Sequence, residues 1–223
     1  MVWGKIPKKL HPKNAKIVGC PYFKKSAVKN SLSTQKKTGT IRILILWTPP
    51  FGTLSLFKSK SNNQTLKDLI KGLSNLPQSC KITLRPHPSY YLTDDLNEIL
   101  PSENFSLSQQ QSAEEEIKNH DIIVTGATTA GLIAILYKKP LLFFDNSYLF
   151  EKFGEPFTQS KSAINVPVKH LRKIDKYILR LINNQGIQTK QGATQEKFIN
   201  NYCSFFGEDS NEVIAKFINR IME

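Results

Sequence analysis

The segment Arg85-Pro86-His87-Pro88 carries two side chains that could bind phosphate on a backbone stiffened by two prolines. It ends an apolar stretch that predicts a strand over Lys81–Arg85. The two prolines restrict the chain on both sides of the histidine and remove two amide donors, which suits a place where side chains are held at a set angle. Arg85 offers a bidentate fork of N–H donors and His87 a further donor, a suitable pair for phosphate oxygens. The alternative is structural: a turn histidine with a satisfied ring beside a surface arginine.

The stretch from Asp121 to Pro140 is the second candidate for anion binding. It predicts a strand that turns through Gly126 into a helix beginning near Thr128-Thr129. Small residues let the backbone approach a ligand, the hydroxyls cap the helix, and the first-turn amides favour an anion such as phosphate. The alternative is a plain capped helix whose Gly131 allows close packing on a sheet. The predicted phosphate-binding residues are thus Arg85, His87, Gly126, Thr128 and Thr129, and no catalytic residue is assigned.

The elements that must position these residues alternate between short apolar strands and helices. Besides Lys81–Arg85, the predicted strands are Ile41–Trp47, Phe105–Ser108, Asp121–Thr125 and, as the last clear one, Leu141–Phe144. The predicted helices are Gln64–Leu73, Asp94–Leu100, Ala113–Asn119, Thr128–Tyr137, Val168–Asn183, Gln195–Phe205 and Ser210–Met222. Near-continuous apolar strands alternating with helices predict an α/β fold with a parallel sheet covered on both faces. Such sheets bind ligands at the carboxyl ends of their strands, where both candidate segments fall.

Cysteine and histidine spacing argues against a metal site. Cys20, Cys80 and Cys203 stand far apart, and the four histidines show no His-x-x-x-His spacing. Free thiols in a reducing compartment are therefore favoured over a disulfide framework or a structural zinc. The apolar runs are far too short to span a membrane, and the first residues lack the apolar stretch of a secretory signal. We expect a cytoplasmic chain.

The positive charge is concentrated in the first third of the chain. Residues 1–67 contain 14 Lys or Arg and no acidic residue, whereas residues 68–223 contain 17 Lys or Arg against 18 Asp or Glu. A solvated lysine-rich surface is one interpretation, and attraction to an anionic partner is the other. Charge alone leaves phospholipid, an anionic polymer and nucleic acid open. Nucleic acid is the least favoured, because the aromatic residues do not interleave with the basic ones as in a stacking platform.

Taken together, the two candidate segments resemble a known family. A strand ending in His-Pro, a strand-turn-helix unit with paired hydroxyls at Thr128 and Thr129, and then Lys139-Pro140 before the next strand are similar to bacterial surface-polysaccharide transferases of the GT-B fold. That family includes capsule transferases, polysialyltransferases and CDP-glycerol glycerophosphotransferases. Val2-Trp3-Gly4 and the following Gly19-Cys20-Pro21 resemble the segment that precedes the second domain of these enzymes. The resemblance covers nearly the whole chain but only the carboxy-terminal half of the usual enzyme.

The resemblance implies a Rossmann-like, nucleotide-binding half of a transferase. It places the donor phosphate on His87, Thr128 and Thr129, with a CMP- or CDP-linked sugar or polyol as donor and neither a metal nor another cofactor. The acceptor would be a polysaccharide or lipid-linked glycan, with peripheral contact to an anionic membrane and a separate amino-terminal domain chain as further partners. The implied organisation is a basic interdomain-type segment over 1–40, a nucleotide-binding domain over 41–190, and carboxy-terminal helices packing back over 191–223. A UDP-sugar 2-epimerase-like enzyme and a non-catalytic nucleotide- or anion-binding remnant of a truncated transferase stay as alternatives.

Overall fold

The computed structural model describes residues 39–47, 60–87, 103–110, 112–126, 128, 130–144, 155–202 and 207–222. The strands are β1 (Ile41–Trp47), β2 (Cys80–Pro86), β3 (Phe105–Leu107), β4 (Ile122–Thr125), β5 (Leu141–Phe144) and β6 (Ile164–Val166). The α-helices are α1 (Lys60–Leu73), α2 (Ala113–Asn119), α3 (Ala130–Leu136), α4 (Glu155–Gln159), α5 (Ile174–Asn183), α6 (Gln185–Tyr202) and α7 (Gly207–Met222), with a 3₁₀ helix over Val168–Lys173.

The strands form one parallel sheet in the order β3-β2-β1-β4-β5-β6. This order reverses between β1 and β4, which is the arrangement of a Rossmann-type doubly wound sheet. The central strand β1 pairs with β2 on one side and with β4 on the other. The predicted α/β class with a Rossmann-like parallel sheet is therefore confirmed.

Helices cover both faces of the sheet because alternate residues of the buried strands point to opposite sides. On the first face, Ile43 and Ile45 pack with α1, the 3₁₀ helix and α5. On the second face, Leu44 and Leu46 pack with α2, α3, α4 and α6. Both faces of the sheet are therefore apolar, and the ends of the strands are left for polar side chains.

Two glycines allow helices to approach the rest of the fold closely. A Cβ at Gly72 in α1 would collide with the carbonyl oxygen of Leu171 in the 3₁₀ helix. A Cβ at Gly131 in α3 would lie 3.3 Å from the Phe143 ring on β5. The packing role considered for Gly131 thus has a structural basis, and α1 and the 3₁₀ helix are in direct backbone contact.

Helix α6 is tied to the sheet by amide side chains. Gln191 donates to the carbonyl of Leu141 at 2.8 Å and accepts from its amide at 3.1 Å. Gln195 donates to the carbonyls of Lys139 and Ser162. Helix α6 runs without interruption through residue 190. The predicted boundary between the nucleotide-binding domain and the carboxy-terminal helices lies at this position.

The structure contains two elements that the sequence analysis did not predict, α4 and β6. Leu141–Phe144 is consequently not the last strand. Helix α6 begins at Gln185, well before the predicted Gln195, and the predicted helix over 168–183 divides into a 3₁₀ turn and α5. The predicted helix over 94–100 and the basic segment over 1–38 lie outside the described residues. Within the described part of the chain, every helix is too short or too polar to cross a membrane.

Candidate functional site

The two predicted ligand segments lie at the same edge of the sheet. Leu46 of β1 is in register with Arg85 of β2 and also with Thr125 of β4. The three residues form a row across neighbouring strands, so the main chains of Arg85 and Thr125 are about 10 Å apart. His87 and Gly126 follow this row at the carboxyl ends of β2 and β4. This is the edge, beside the reversal of strand order, where doubly wound sheets bind ligands.

His87 is anchored through its main chain and exposed at its side chain. Its amide donates to the carbonyl of Trp47, the last residue of β1, at 2.8 Å. The residue is exposed to solvent. Its backbone is therefore held beside the central strand while its imidazole lies at the surface of the strand-end edge.

Arg85 is held by a buried carboxylate. Its Nη1 lies 3.1 Å from Glu116 Oε2 and also donates to Ser108 Oγ at 2.9 Å and to the carbonyl of Gln110 at 2.7 Å. The side chains of Arg85 and Glu116 are only 14% and 3% exposed. Arg85 thus ties the end of β2 to α2 and to the segment after β3. Its assignment to a donor phosphate stays a prediction, in which Glu116 and the phosphate would share one guanidinium.

A second polar contact continues this connection on the same face of β2. The His120 ring lies 2.9 Å from Thr83 Oγ1 through Nε2 and 2.6 Å from the carbonyl of Glu116 through Nδ1. Burial, which penalises the charged ring, lowers the pKa of His120 below its usual value. His120 is therefore a buried histidine whose ring joins α2 to β2.

The chain after β4 leads to a helix, α3, whose first turn is capped. Gly126 is buried, and Thr128 is half-buried. The Thr128 hydroxyl accepts a hydrogen bond from the Ala130 amide at 3.4 Å, and its carbonyl accepts from the Gly131 amide at 3.1 Å. Thr128 therefore acts as a cap for the first turn of α3, as predicted for this hydroxyl. Thr129 lies outside the described residues.

Trp47 adds an unsatisfied polar group near this edge. It closes β1, is 1% exposed, and stacks on Phe144 at the end of β5 with ring centroids 5.9 Å apart. Among the residues that the structure describes, its buried indole Nε1 has no hydrogen-bond partner. A buried unpaired donor is uncommon in folded proteins.

Sequence analysis missed the groups that hold the site in place. Glu116 is one of three consecutive glutamates, and His120 was noted only for its spacing. No sequence signal separates Glu116 from Glu114 and Glu115, because its burial beside Ile117 in α2 is known only from the structure. Within the described residues, no group of three or more His, Cys, Asp or Glu side chains is arranged to hold a metal ion.

No family model matches the chain, and no curated protein matches it by sequence. Solved structures do match by fold. The spinosyn forosaminyltransferase SpnP aligns with a TM-score of 0.59 and 12% identity over 85% of this chain and 45% of its own. A UDP-N-acetylglucosamine 2-epimerase assigned in Listeria monocytogenes aligns with a TM-score of 0.57 and 12% identity, covering 94% of this chain and 56% of its own.

A third match is a single domain rather than a whole enzyme. The carboxy-terminal CMP-Kdo binding domain of WaaA from Acinetobacter baumannii has a TM-score of 0.51 and 10% identity. The alignment covers 78% of this chain and 98% of that domain. By contrast, the chain spans about half the length of SpnP and of the epimerase. The comparisons therefore show the fold alone: this chain has the Rossmann-like α/β architecture of the GT-B glycosyltransferases and their structural relatives.

Proposed function

We propose that this chain is the donor-nucleotide-binding half of a glycosyltransferase or polyol-phosphate transferase acting in bacterial surface-polysaccharide synthesis. The observation that carries the proposal is the placement of His87 and Gly126 at the carboxyl ends of β2 and β4, the two strands that flank β1. In a doubly wound sheet this edge is the ligand-binding crevice. The single-domain likeness to the CMP-Kdo binding domain of WaaA adds support for a chain that corresponds to one half of a transferase.

In this proposal the donor's phosphates lie between the end of β2 and the turn after β4. The exposed His87 ring donates a hydrogen bond to a phosphate oxygen, and the hydroxyls of Thr128 and Thr129 contact the same group. Arg85 supplies positive charge two residues before His87 while Glu116 holds its guanidinium in place. Transfer would proceed by electrostatic stabilisation of the leaving nucleotide phosphate, without a metal ion. The acceptor is a polysaccharide or a lipid-linked glycan.

A 2-epimerase-like enzyme acting on a UDP-sugar is the second candidate. The likeness to the Listeria monocytogenes protein, which covers 94% of this chain, favours it. It differs from the first candidate in the base of the nucleotide and in needing acid and base residues around the sugar. A nucleotide- or anion-binding remnant without catalysis is the third. The nucleotide preference of the chain separates the first two candidates.

We expect CMP and CDP to raise the melting temperature of the protein more than UDP or ADP does. At a free nucleotide concentration about tenfold above Kd, linkage gives about 1.4 kcal/mol of stabilisation, which is roughly 3–6 °C for a chain of this size. Differential scanning fluorimetry with each nucleotide is the measurement, and the His87→Ala variant is the control that should lose the shift. A larger shift with UDP would favour the epimerase or a hexosyltransferase. No shift with any nucleotide would leave only a remnant that binds another anion.

A further inference from the structure

Charge is divided unequally between the two helical layers of the sheet. The helices of the first face, α1, the 3₁₀ helix and α5, contain eight Lys or Arg against two Asp, a net charge of +6. The helices of the second face, α2, α3, α4 and α6, contain three Lys or Arg against five Glu, a net charge of −2. Because the inward sides of both layers are apolar, this charge difference lies on the sides that face outward.

Exposed cations form a stripe that begins with Lys173, the last residue of the 3₁₀ helix, and continues along α5. Lys173, Lys176 and Arg180 are exposed and follow one another at a spacing of three and four residues, which is one side of a helix. Ile174 and Ile178 of the same helix are fully buried against the sheet. The stripe therefore points away from the core and extends for about 10 Å along the helix.

The neighbouring elements extend this stripe into a surface. Exposed Lys67 and Lys71 lie one helical turn apart on α1, and exposed Lys169 and Arg172 lie on the 3₁₀ helix. The backbone contact at Gly72 places α1 directly against the 3₁₀ helix. We call the exposed cations of these three elements the cationic face.

Few carboxylates offset this charge. Asp68 pairs with Arg172 at 2.8 Å. Asp175, at the start of α5, has one buried carboxylate oxygen that finds no partner in the described part of the chain. These two aspartates are the only acidic residues on the three elements, against seven exposed Lys or Arg side chains. The face is therefore complementary to a broad anionic surface rather than to a single anion.

We propose that the cationic face binds an anionic lipid surface. The positive potential is spread over three elements, which suits a surface with many weak negative groups, and each cation near such a surface strengthens binding about fivefold. Ile218, on α7, is the one exposed large hydrophobic side chain in the described part of the chain. The cationic face thus has neither an exposed ring for stacking nucleic-acid bases nor an apolar wedge for insertion into the bilayer. Binding is therefore electrostatic.

This attachment is compatible with access to the strand-end site. The cationic face covers one side of the sheet, whereas His87 and Gly126 lie at its edge. A chain lying on a membrane through the cationic face keeps that edge open to a soluble nucleotide donor. The inference does not depend on the proposed donor or reaction.

The test measures co-sedimentation of the full chain with vesicles of phosphatidylglycerol and phosphatidylcholine in equal amounts. The triple variant Lys173→Ala, Lys176→Ala and Arg180→Ala should bind these vesicles about 100-fold more weakly than the original chain. The matched control, Lys190→Ala, Lys197→Ala and Arg220→Ala, removes three exposed cations from α6 and α7 and should lose less than threefold. Lys67→Ala with Lys71→Ala, on a different helix of the face, should lose more than tenfold. All binding should fade as salt rises above physiological strength, because the Debye length falls below about 8 Å.

Three results would overturn the proposal. Equal losses in the triple variant and its control would show that net charge, or the basic first third of the chain, carries the binding. Equal binding to pure phosphatidylcholine vesicles would exclude an electrostatic contact. Binding to duplex DNA that the triple variant loses, without binding to anionic vesicles, would assign the face to nucleic acid. Melting curves of all variants should coincide, since every substituted side chain is exposed.

Discussion

Replacing Arg85 with methionine is expected to lower the free energy of unfolding by about 3–5 kcal/mol. The reason is that Glu116, with 3% of its side chain exposed, would keep its negative charge in the interior without its cationic partner. Ser108 and the carbonyl of Gln110 would lose their donor in the same substitution. Urea denaturation followed by far-ultraviolet circular dichroism measures the change as a lower midpoint with an unchanged slope.

The double variant Arg85→Met, Glu116→Leu distinguishes loss of the pair from loss of packing. It removes both charges and should recover most of the lost stability, because well-packed apolar residues often replace a buried ion pair without cost. Lys216→Met is the matched control for removal of a paired lysine. Its partner Glu212 lies on the exposed side of α7, so little change is expected. An unchanged midpoint in the single Arg85→Met variant would mean that Glu116 is not an obligatory partner.

Strands with continuous apolar sequence were predictable, and polar or short elements were not. Ile41–Trp47 and Leu141–Phe144 contain runs that only a sheet buried on both faces accommodates, and their predicted bounds match the structure. The three residues Ile164–Val166 form β6 because β5 offers an open edge for pairing, which is information that lies outside their own sequence. Helix α6 is mostly polar and is attached to the sheet through Gln191 and Gln195. Its first half therefore lacks the apolar periodicity from which a helix can be predicted.

The location of the candidate site was predictable for a topological reason. In a parallel sheet all carboxyl ends meet at one edge, so residues that follow strands are brought together whatever their separation along the chain. His87 and Gly126 meet this condition. The partner of Arg85 was not predictable in this way. Glu116 differs from Glu114 and Glu115 only in lying on the buried side of α2. Tertiary burial, not residue type, selects which of the three carboxylates pairs with Arg85.

His87 is the residue on which the proposed donor site depends most directly. Replacing it with alanine is expected to weaken nucleotide binding by about 1.5–3 kcal/mol, the range for a hydrogen bond to a charged group. The stability of the fold should change by less than about 0.5 kcal/mol, because the side chain is exposed. The anchoring hydrogen bond to the carbonyl of Trp47 uses the backbone amide, which alanine retains. Isothermal titration with the best-binding nucleotide, beside a melting curve, measures both quantities.

Matched variants separate a direct contact by His87 from an indirect effect. His170→Ala removes a histidine from the 3₁₀ helix, where its ring contacts the Tyr177 hydroxyl at 2.8 Å, and should leave nucleotide affinity unchanged. Thr129→Val should weaken binding less than His87→Ala, because backbone amides of the same turn remain as donors. Arg85→Lys should bind nucleotide more weakly than the original chain, since an ammonium cannot reproduce the planar fork that serves Glu116 and a phosphate together. If His87→Ala instead lowered stability by several kcal/mol and left affinity untouched, His87 would be a structural turn residue and the proposed donor site would be wrong.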